Sequence, residues 1–243
     1  MNYNWAWDVF LQPAGDGTGT YLWTLWLGLR WTMVTALCAW CLALVLGTVV
    51  GVMRTLPSRP LQWIATIHVE VFRNIPLLVQ LFIWYFVLPE LLPREMGMWI
   101  KRLPDAAFWT VVVAIGVFMS VRVAEQLRAA LQSLPRGQSN AALALGMSTA
   151  QSYRWVLLPV AFRIIMPPLT SEFLNTIKNT TVGITIGLVE LTARAYAIQE
   201  QTFQFFEAFT AATVIFLVLN LLVTFGMRML ERRMAIPGTG AAR

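Results

Sequence analysis

Residues 31–53 read WTMVTALCAWCLALVLGTVVGVM. The stretch holds no charge and is longer than the ~20 residues a helix needs to cross the hydrocarbon of a bilayer. The whole chain agrees with it. Its 243 residues are 58% hydrophobic and 12% charged, and its mean hydropathy is +0.63. A soluble domain of this size needs far more polar surface. The net charge of +6 does not point to nucleic acid, because the basic residues flank apolar runs and form no contiguous patch. The chain is expected to be an all-α polytopic membrane protein.

Four further runs follow. The second lies within Ile64 to Leu92, with its apolar core at Leu77 to Leu88. Pro76 lacks an N–H and is expected to break or kink the helix just before that core. The third is Ala106 to Val121, the fourth Pro168 to Val189 and the fifth Phe205 to Leu230. Five crossings put the ends on opposite sides, and cation placement picks the orientation. One set of segments holds Arg54, Arg59, Arg122, Arg128, Arg136, Arg154, Arg163, Arg228, Arg232, Arg233 and Arg243 against Glu125 and Glu231. The other holds Arg94, Lys101, Arg102 and Arg194 among Asp8, Asp16, Glu90, Glu95, Asp105, Glu190, Glu200 and Glu207. Arg30 dissents mildly and can snorkel. The N-terminus is thus expected outside and the C-terminus inside. Segment 1–30 is then an outer N-terminal stretch, 31–231 the membrane domain and 232–243 an inner tail, glycine- and alanine-rich from Pro237.

The first 20 residues lack a basic stretch followed by a short apolar core, so the first span is expected to insert as its own signal. Cys38 and Cys41 lie mid-span and read as small packing residues. With His68 the only histidine, no metal site and no catalytic triad is expected. No internal repeat is visible.

The longest connection between spans, about 122–163, lies on the inner side. Within it, Asn140 to Pro159 reads NAALALGMSTAQSYRWVLLP. Pro135 and Gly137 suit a turn, and Ser139 suits an N-cap for a short Ala/Leu-rich helix. Gly146 is expected to stop that helix in the left-handed region. Ser148 with Gln151 fits a capping box that starts a second helix, which Pro159 ends or bends. The elbow would carry a small, partly apolar surface from Ala141, Ala142, Ala144, Leu145 and Met147. Such a surface calls for a partner, or else lies on lipid as an amphipathic segment.

These residues carry a resemblance. Asn140-Ala141-Ala142, then Gly146, then Val156-Leu157-Leu158-Pro159 is similar to the Glu-Ala-Ala loop of ABC-importer permeases, with the family's usual glutamate replaced by Asn140. The run VEVFRNIPLLVQLFIWYFVLPELLP (Val69 to Pro93) resembles the second span of the polar-amino-acid branch. EQLRAALQSLPRGQ (Glu125 to Gln138) and PPLTSEFLNTIKNT (Pro167 to Thr180) continue the match, and LLPREMGMW (Leu91 to Trp99) resembles the permease subunit of glutamate/aspartate importers.

The resemblance implies a type I importer permease in a bacterial inner membrane, with a periplasmic N-terminus and a cytoplasmic C-terminus. It also implies a coupling loop, including Asn140, Ala141, Ala142, Gly146, Leu158 and Pro159, that docks into a cytoplasmic ATPase dimer. A second permease subunit, expected to make a heterodimer, and a periplasmic binding protein would complete the complex. The chain has no G-x-x-x-x-G-K-[ST], so ATP and Mg are expected on the partner ATPase, with no cofactor and no catalytic residue on this chain. The implied cargo is glutamate or aspartate, with glutamine, histidine or a basic amino acid as alternatives. An ion-coupled secondary transporter would show inverted repeats and more spans. For a purely structural membrane subunit, polar substitutions along the stripe that starts at Glu172 would leave uptake unchanged while assembly fails.

At 100° per residue, Glu172, Asn175, Thr176, Asn179 and Gly183 share one stripe of the fourth span, edged by Lys178 and Thr180. A polar stripe is costly in lipid, so it faces protein or a watery path. It reads equally as a substrate pathway or as glue between helices. An ammonium at Lys178 would attract a dicarboxylate. Yet the Lys178-Asn179-Thr180 run resembles a motif of the wider branch, including members that carry cationic amino acids, which favours a structural role for it. Glu70, Arg73 and Asn74, just before Pro76, could gate, or pair with one another or with lipid headgroups; pairing and gating at the permease interface is the preferred reading.

Overall fold

The computed structural model describes residues 3–15 and 17–234. Asp16, Arg243 and the tail from 235 lie outside the described residues. Helices follow one another from Tyr21 onward: α1 (Tyr21–Met53), α2 (Arg59–Asn74), α3 (Leu77–Leu91), α4 (Arg94–Lys101), α5 (Ala106–Ser133), α6 (Arg136–Ala144), α7 (Thr149–Ile186), α8 (Leu191–Thr202) and α9 (Phe205–Met234). Ahead of α1 a 3₁₀ turn covers Trp7–Leu11. Among the described residues no β-strand occurs, only a single bridge between Pro13 and Thr20. Among the described residues four helices, α1, α5, α7 and α9, are each long and apolar enough to cross a bilayer, and α2 with α3 passes the same test as a pair bent by 106°.

The break between α2 and α3 falls at Ile75 and Pro76, as the missing N–H of Pro76 dictates. The fourth span departs from expectation. The helix does not begin at Pro168: α7 runs through Pro159, Pro167 and Pro168 without stopping. At Pro159 a π turn at Tyr153–Leu157, immediately before Leu158-Pro159, explains how. Widening the ladder to i→i+5 makes room for the proline ring and absorbs its missing donor. The same device recurs in α3, where a π turn at Ile83–Val87 precedes Leu88-Pro89. Likewise the expected loop from residue 122 is helical at first, because α5 continues without interruption to Ser133.

The chain divides into two compact units. One comprises Met1–Trp40, Pro76–Ile115 and Asn175–Leu222; the other comprises Cys41–Ile75, Gly116–Leu174 and Val223–Arg243. In the first, Val9, Tyr21, Leu25, Leu191, Ala195, Ile198, Ala208 and Ala212 form a buried cluster. Thus the N-terminal segment packs against α1, α8 and α9. Glu190 caps α8, its carboxylate accepting from the Ala193 N–H at 2.9 Å. Gly28 lets the Glu190–Arg194 stretch close on α1, since a Cβ there would lie 2.9 Å from the Leu191 Cα.

In the second unit α1 meets α5 through glycine. Ala43, Gly47 and Gly51 recur every fourth residue on α1. A Cβ at Gly47 would stand 2.6 Å from the Val123 Cβ and 2.7 Å from the Ser120 carbonyl oxygen. This is backbone-level contact of the kind small-xxx-small patterns produce between membrane helices. Ala65 and Val69 of α2 pack into the same unit beside Val50, Val121 and Ala124.

Candidate functional site: the elbow and the polar cleft

Pro135 sets the start of α6, so Ser139 lies inside that helix and is not its cap. At the other end the chain turns at Gly146, whose φ is +76°. The Gly146 N–H donates to the Leu143 carbonyl at 2.9 Å and the Met147 N–H to the Ala142 carbonyl at 3.1 Å. That pair of bonds satisfies the last carbonyls of α6 in a Schellman closure. The Ser148 hydroxyl then accepts from the Gln151 N–H at 3.3 Å, while the Gln151 side chain accepts from the Ser148 N–H at 2.8 Å. The capping box expected from the sequence is present, so both sides of the corner are closed by hydrogen bonds and the elbow is stiff.

Its outer surface is apolar. Leu145 is 79% exposed and Trp155 65%, and Leu143 is exposed too. Asn140, Ala141 and Gly146 are exposed with them, Leu158 is half-buried and Pro159 exposed, whereas Ala142 is buried. Arg154 stacks over Trp155 at 5.1 Å. Three supports lie behind the elbow, none of them anticipated from sequence. The Tyr153 hydroxyl donates to Thr55 at 3.1 Å. Arg54 pairs with Glu125. Arg128 pairs with the same carboxylate at 2.9 Å and donates to Gln132 at 2.9 Å. A signal for the last existed in the i, i+3 spacing of Glu125 and Arg128; the pairing with Arg54 is long-range and leaves no local trace.

In the same unit a cleft of about 360 Å³ is lined by Phe72, Arg73, Phe118, Val121, Arg122, Glu125, Gln126 and Glu172. Glu172, only 12% exposed, sits 3.7 Å from Arg122 and accepts a 3.4 Å hydrogen bond from Gln126. Arg122 also lies over Phe118. The carboxylate is therefore satisfied between α5 and α7. Arg73 reaches this cleft, but Glu70 does not line it: Asn74 donates to the Glu70 carbonyl at 2.7 Å and approaches its carboxylate at 3.4 Å.

The remaining stripe residues belong to the other unit. Thr176 and Thr180 are wholly buried, Asn175 and Asn179 half-buried, and Lys178 exposed. The Thr180 hydroxyl donates to the Ile177 carbonyl. Gly183 leaves the stripe, because α7 tightens to a 3₁₀ helix from Thr180 to Ile186. A 3₁₀ helix turns three residues per revolution, so the 100° rule fails there. Gly183 instead packs closely on Val111 and Leu188.

Residues 43–236 match the family of binding-protein-dependent transport system inner membrane components. The chain belongs to that family. This permease is 45% identical to the glutamate/aspartate import permease protein GltJ of Escherichia coli K12, over 98% of both chains. It is 35% identical to the probable glutamine ABC transporter permease GlnM of Bacillus subtilis, over 85% of this chain and 91% of that one. Among solved structures, an amino acid ABC transporter crystallised with histidines matches with a TM-score of 0.74 and 32% identity, over 88% of this chain and 95% of that one. The methionine ABC transporter MetNI shares the fold, with a TM-score of 0.72 at 21% identity, over 88% of this chain and 98% of that one.

Proposed function

We propose that this permease is the membrane subunit of an ATP-driven importer for acidic amino acids, glutamate and aspartate. The observation that carries the reading is the 45% identity to GltJ along essentially the full length of both chains. The elbow supports the mechanism. The short helix α6 and the start of α7, locked together at Gly146, present Leu143, Leu145 and Trp155 outward, which suits insertion into a cleft on a cytoplasmic ATPase. ATP and Mg sit on that ATPase dimer. Asn140 stands where the family's glutamate would, so the contact here is apolar and not a salt bridge.

On this reading the N-terminus is periplasmic and the C-terminus cytoplasmic. A second permease, making a heterodimer, and a periplasmic binding protein complete the assembly. ATP-driven closure of the ATPases pushes the elbows, and the permease pair opens outward; hydrolysis returns it. Lys178, with Asn175, Asn179, Thr176 and Thr180, belongs to the substrate path, where an ammonium attracts a dicarboxylate. Glu172 serves chiefly to hold α5 to α7 through Arg122 and Gln126. Arg73 and Pro76 form a gate with Glu70 beside it. The test is uptake by the complete complex in proteoliposomes with each radiolabelled amino acid. ATP-dependent, vanadate-sensitive accumulation of glutamate and aspartate is expected. Accumulation of glutamine, histidine or arginine alone would move the cargo, and vanadate-insensitive uptake would reject the ATP-driven reading.

A further inference from the structure

The N-terminal segment ahead of α1 is fastened to the start of α9 by one buried carboxylate. Glu207 is wholly buried in the first turn of α9. It accepts from the Tyr3 hydroxyl and, at 2.7 Å, from the Ala6 N–H. Gln204 Oε1 also lies 2.8 Å from the Tyr3 hydroxyl. Farther along the segment, Val9 is buried in the core of its unit. Satisfying a buried carboxylate with two donors from one segment fixes that segment in place.

What the pinned segment displays is aromatic. Trp5 and Trp7 stack at 5.3 Å with their planes 3° apart, and they are 56% and 49% exposed. Tyr3 packs edge-on to Phe206 at 4.7 Å, and Phe205 and Phe206 are exposed beside them. Rings that were meant for a core would be inside it. These stand at a particular height. The spanning part of α9, Phe205–Arg233, is about 43 Å long at 1.5 Å per residue, close to the full thickness of a bilayer with its headgroups. Its first turn therefore lies at headgroup level. Below Phe206 the exposed face of α9 continues through Val214, Leu217, Val218, Leu221 and Leu222, the i, i+3, i+4 stripe of a helix that faces acyl chains. The aromatic cluster is the upper end of a lipid-facing surface.

We infer that residues Tyr3–Leu11 form an interfacial membrane anchor: Trp5 and Trp7 sit in the phospholipid headgroup layer, and Glu207 pins them there. Trp and Tyr favour that layer because their bodies are apolar and their N–H or O–H tips remain hydrated. The occupant of the surface is lipid and not a protein, since its rings continue an acyl-facing stripe in which the intervening exposed polar residues are the uncharged Thr210 and Thr213, the latter with its hydroxyl turned back onto the Phe209 carbonyl.

The experiment places a polarity-sensitive fluorophore at position 7 (Trp7→Cys, with Cys38 and Cys41 changed to alanine) in the full-length protein, purified with its co-assembling subunits into phosphatidylethanolamine/phosphatidylglycerol nanodiscs. Nitroxide carried at the headgroup or upper acyl chain is expected to quench the probe about two-fold or more, with iodide in the water having little effect. Efficient iodide quenching with silent nitroxide lipids would overturn the inference. So would a probe shielded from both quenchers, which reports burial against protein. Tyr3→Phe and Glu207→Ala test the pin: nitroxide quenching should fall while the protein still elutes as a folded complex. Tyr3→Phe removes only a hydroxyl and keeps the test open if Glu207→Ala misfolds. Unchanged quenching in folded forms of both variants would overturn the role given to Glu207.

Discussion

Glycine to alanine at two positions of this protein should act with opposite sign. At Gly47 the new methyl would meet the Val123 Cβ at 2.6 Å and the Ser120 carbonyl oxygen at 2.7 Å. Carbon contacts are comfortable near 3.5–4.0 Å, so α1 and α5 must separate by roughly 1 Å. The Ser120 oxygen is backbone and cannot swing aside. Overpacking of this kind costs about 1–3 kcal/mol, and better helix propensity returns about 1 kcal/mol. The net loss is about 0–2 kcal/mol, or up to roughly 8 °C in Tm for a chain of this size. At Gly226, in α9, nothing lies within 4 Å of a built Cβ, so only the propensity gain remains and Tm should hold or rise by about 2 °C. Thermal unfolding of both variants in one detergent, followed by intrinsic fluorescence and by the fraction remaining monodisperse after heating, makes the comparison. Equal shifts at the two sites, or a stabilised Gly47→Ala, would refute the backbone-contact account of the α1–α5 joint.

Gly146→Asp forces a side chain into a corner held at φ +76° and puts a charge on an apolar docking face; membrane insertion should be normal, while ATPase co-purification and uptake fall about ten-fold or more. Retained uptake would argue against docking. Lys178→Met should raise the KM for glutamate about ten-fold, the equivalent of ~1.4 kcal/mol, and normal uptake at low substrate would remove Lys178 from the path. Glu190 is wholly buried, and burial pushes its carboxyl above the usual range against the opposing hydrogen bond from Ala193. A raised folded value means that its contribution is complete below the ordinary glutamate range and is lost as pH climbs through the raised value. Wild-type Tm should therefore fall, as pH rises above the ordinary glutamate range, more steeply than that of Glu190→Gln; parallel curves would contradict it.

The spans and the elbow were legible because both are local. Charge-free length announces α1, and Gly146, Ser148 and Gln151 specify a corner through bonds no longer than five residues. The helix passes Pro159 because a π turn ahead of it widens the ladder, which the local cost of proline does not announce, and it passes Pro168 within ordinary α-helix, where the sequence pattern starts the fourth span. Residue Gly183 was placed on the polar stripe by a 100° step that stops applying once α7 tightens at Thr180. Glu172 reads equally from sequence as pathway or as glue between helices, and its neighbours on α5, Arg122 and Gln126, come into view only in the fold. Their approach depends on how α5 and α7 pack, which periodicity along one helix does not encode. The Tyr153–Thr55 tie and the Glu207 pin join residues far apart in sequence, and single-sequence patterns carry no trace of such pairs.

The glycine contact between α1 and α5 has a mechanical corollary. The joint interlocks on both sides, with the Leu42 side chain lying on Gly116 and Val50 packed beside Val121 and Ala124, so the two helices cannot slide past one another around Gly47 without repacking. On the proposed coupling, a stroke delivered at the elbow would be taken up where the ladder is already interrupted: at the Ile75-Pro76 break and at the two widened turns ahead of Pro89 and Pro159. Those three joints are where strain would concentrate in a working cycle, and where a proline replaced by alanine would stiffen the machine without touching cargo or nucleotide.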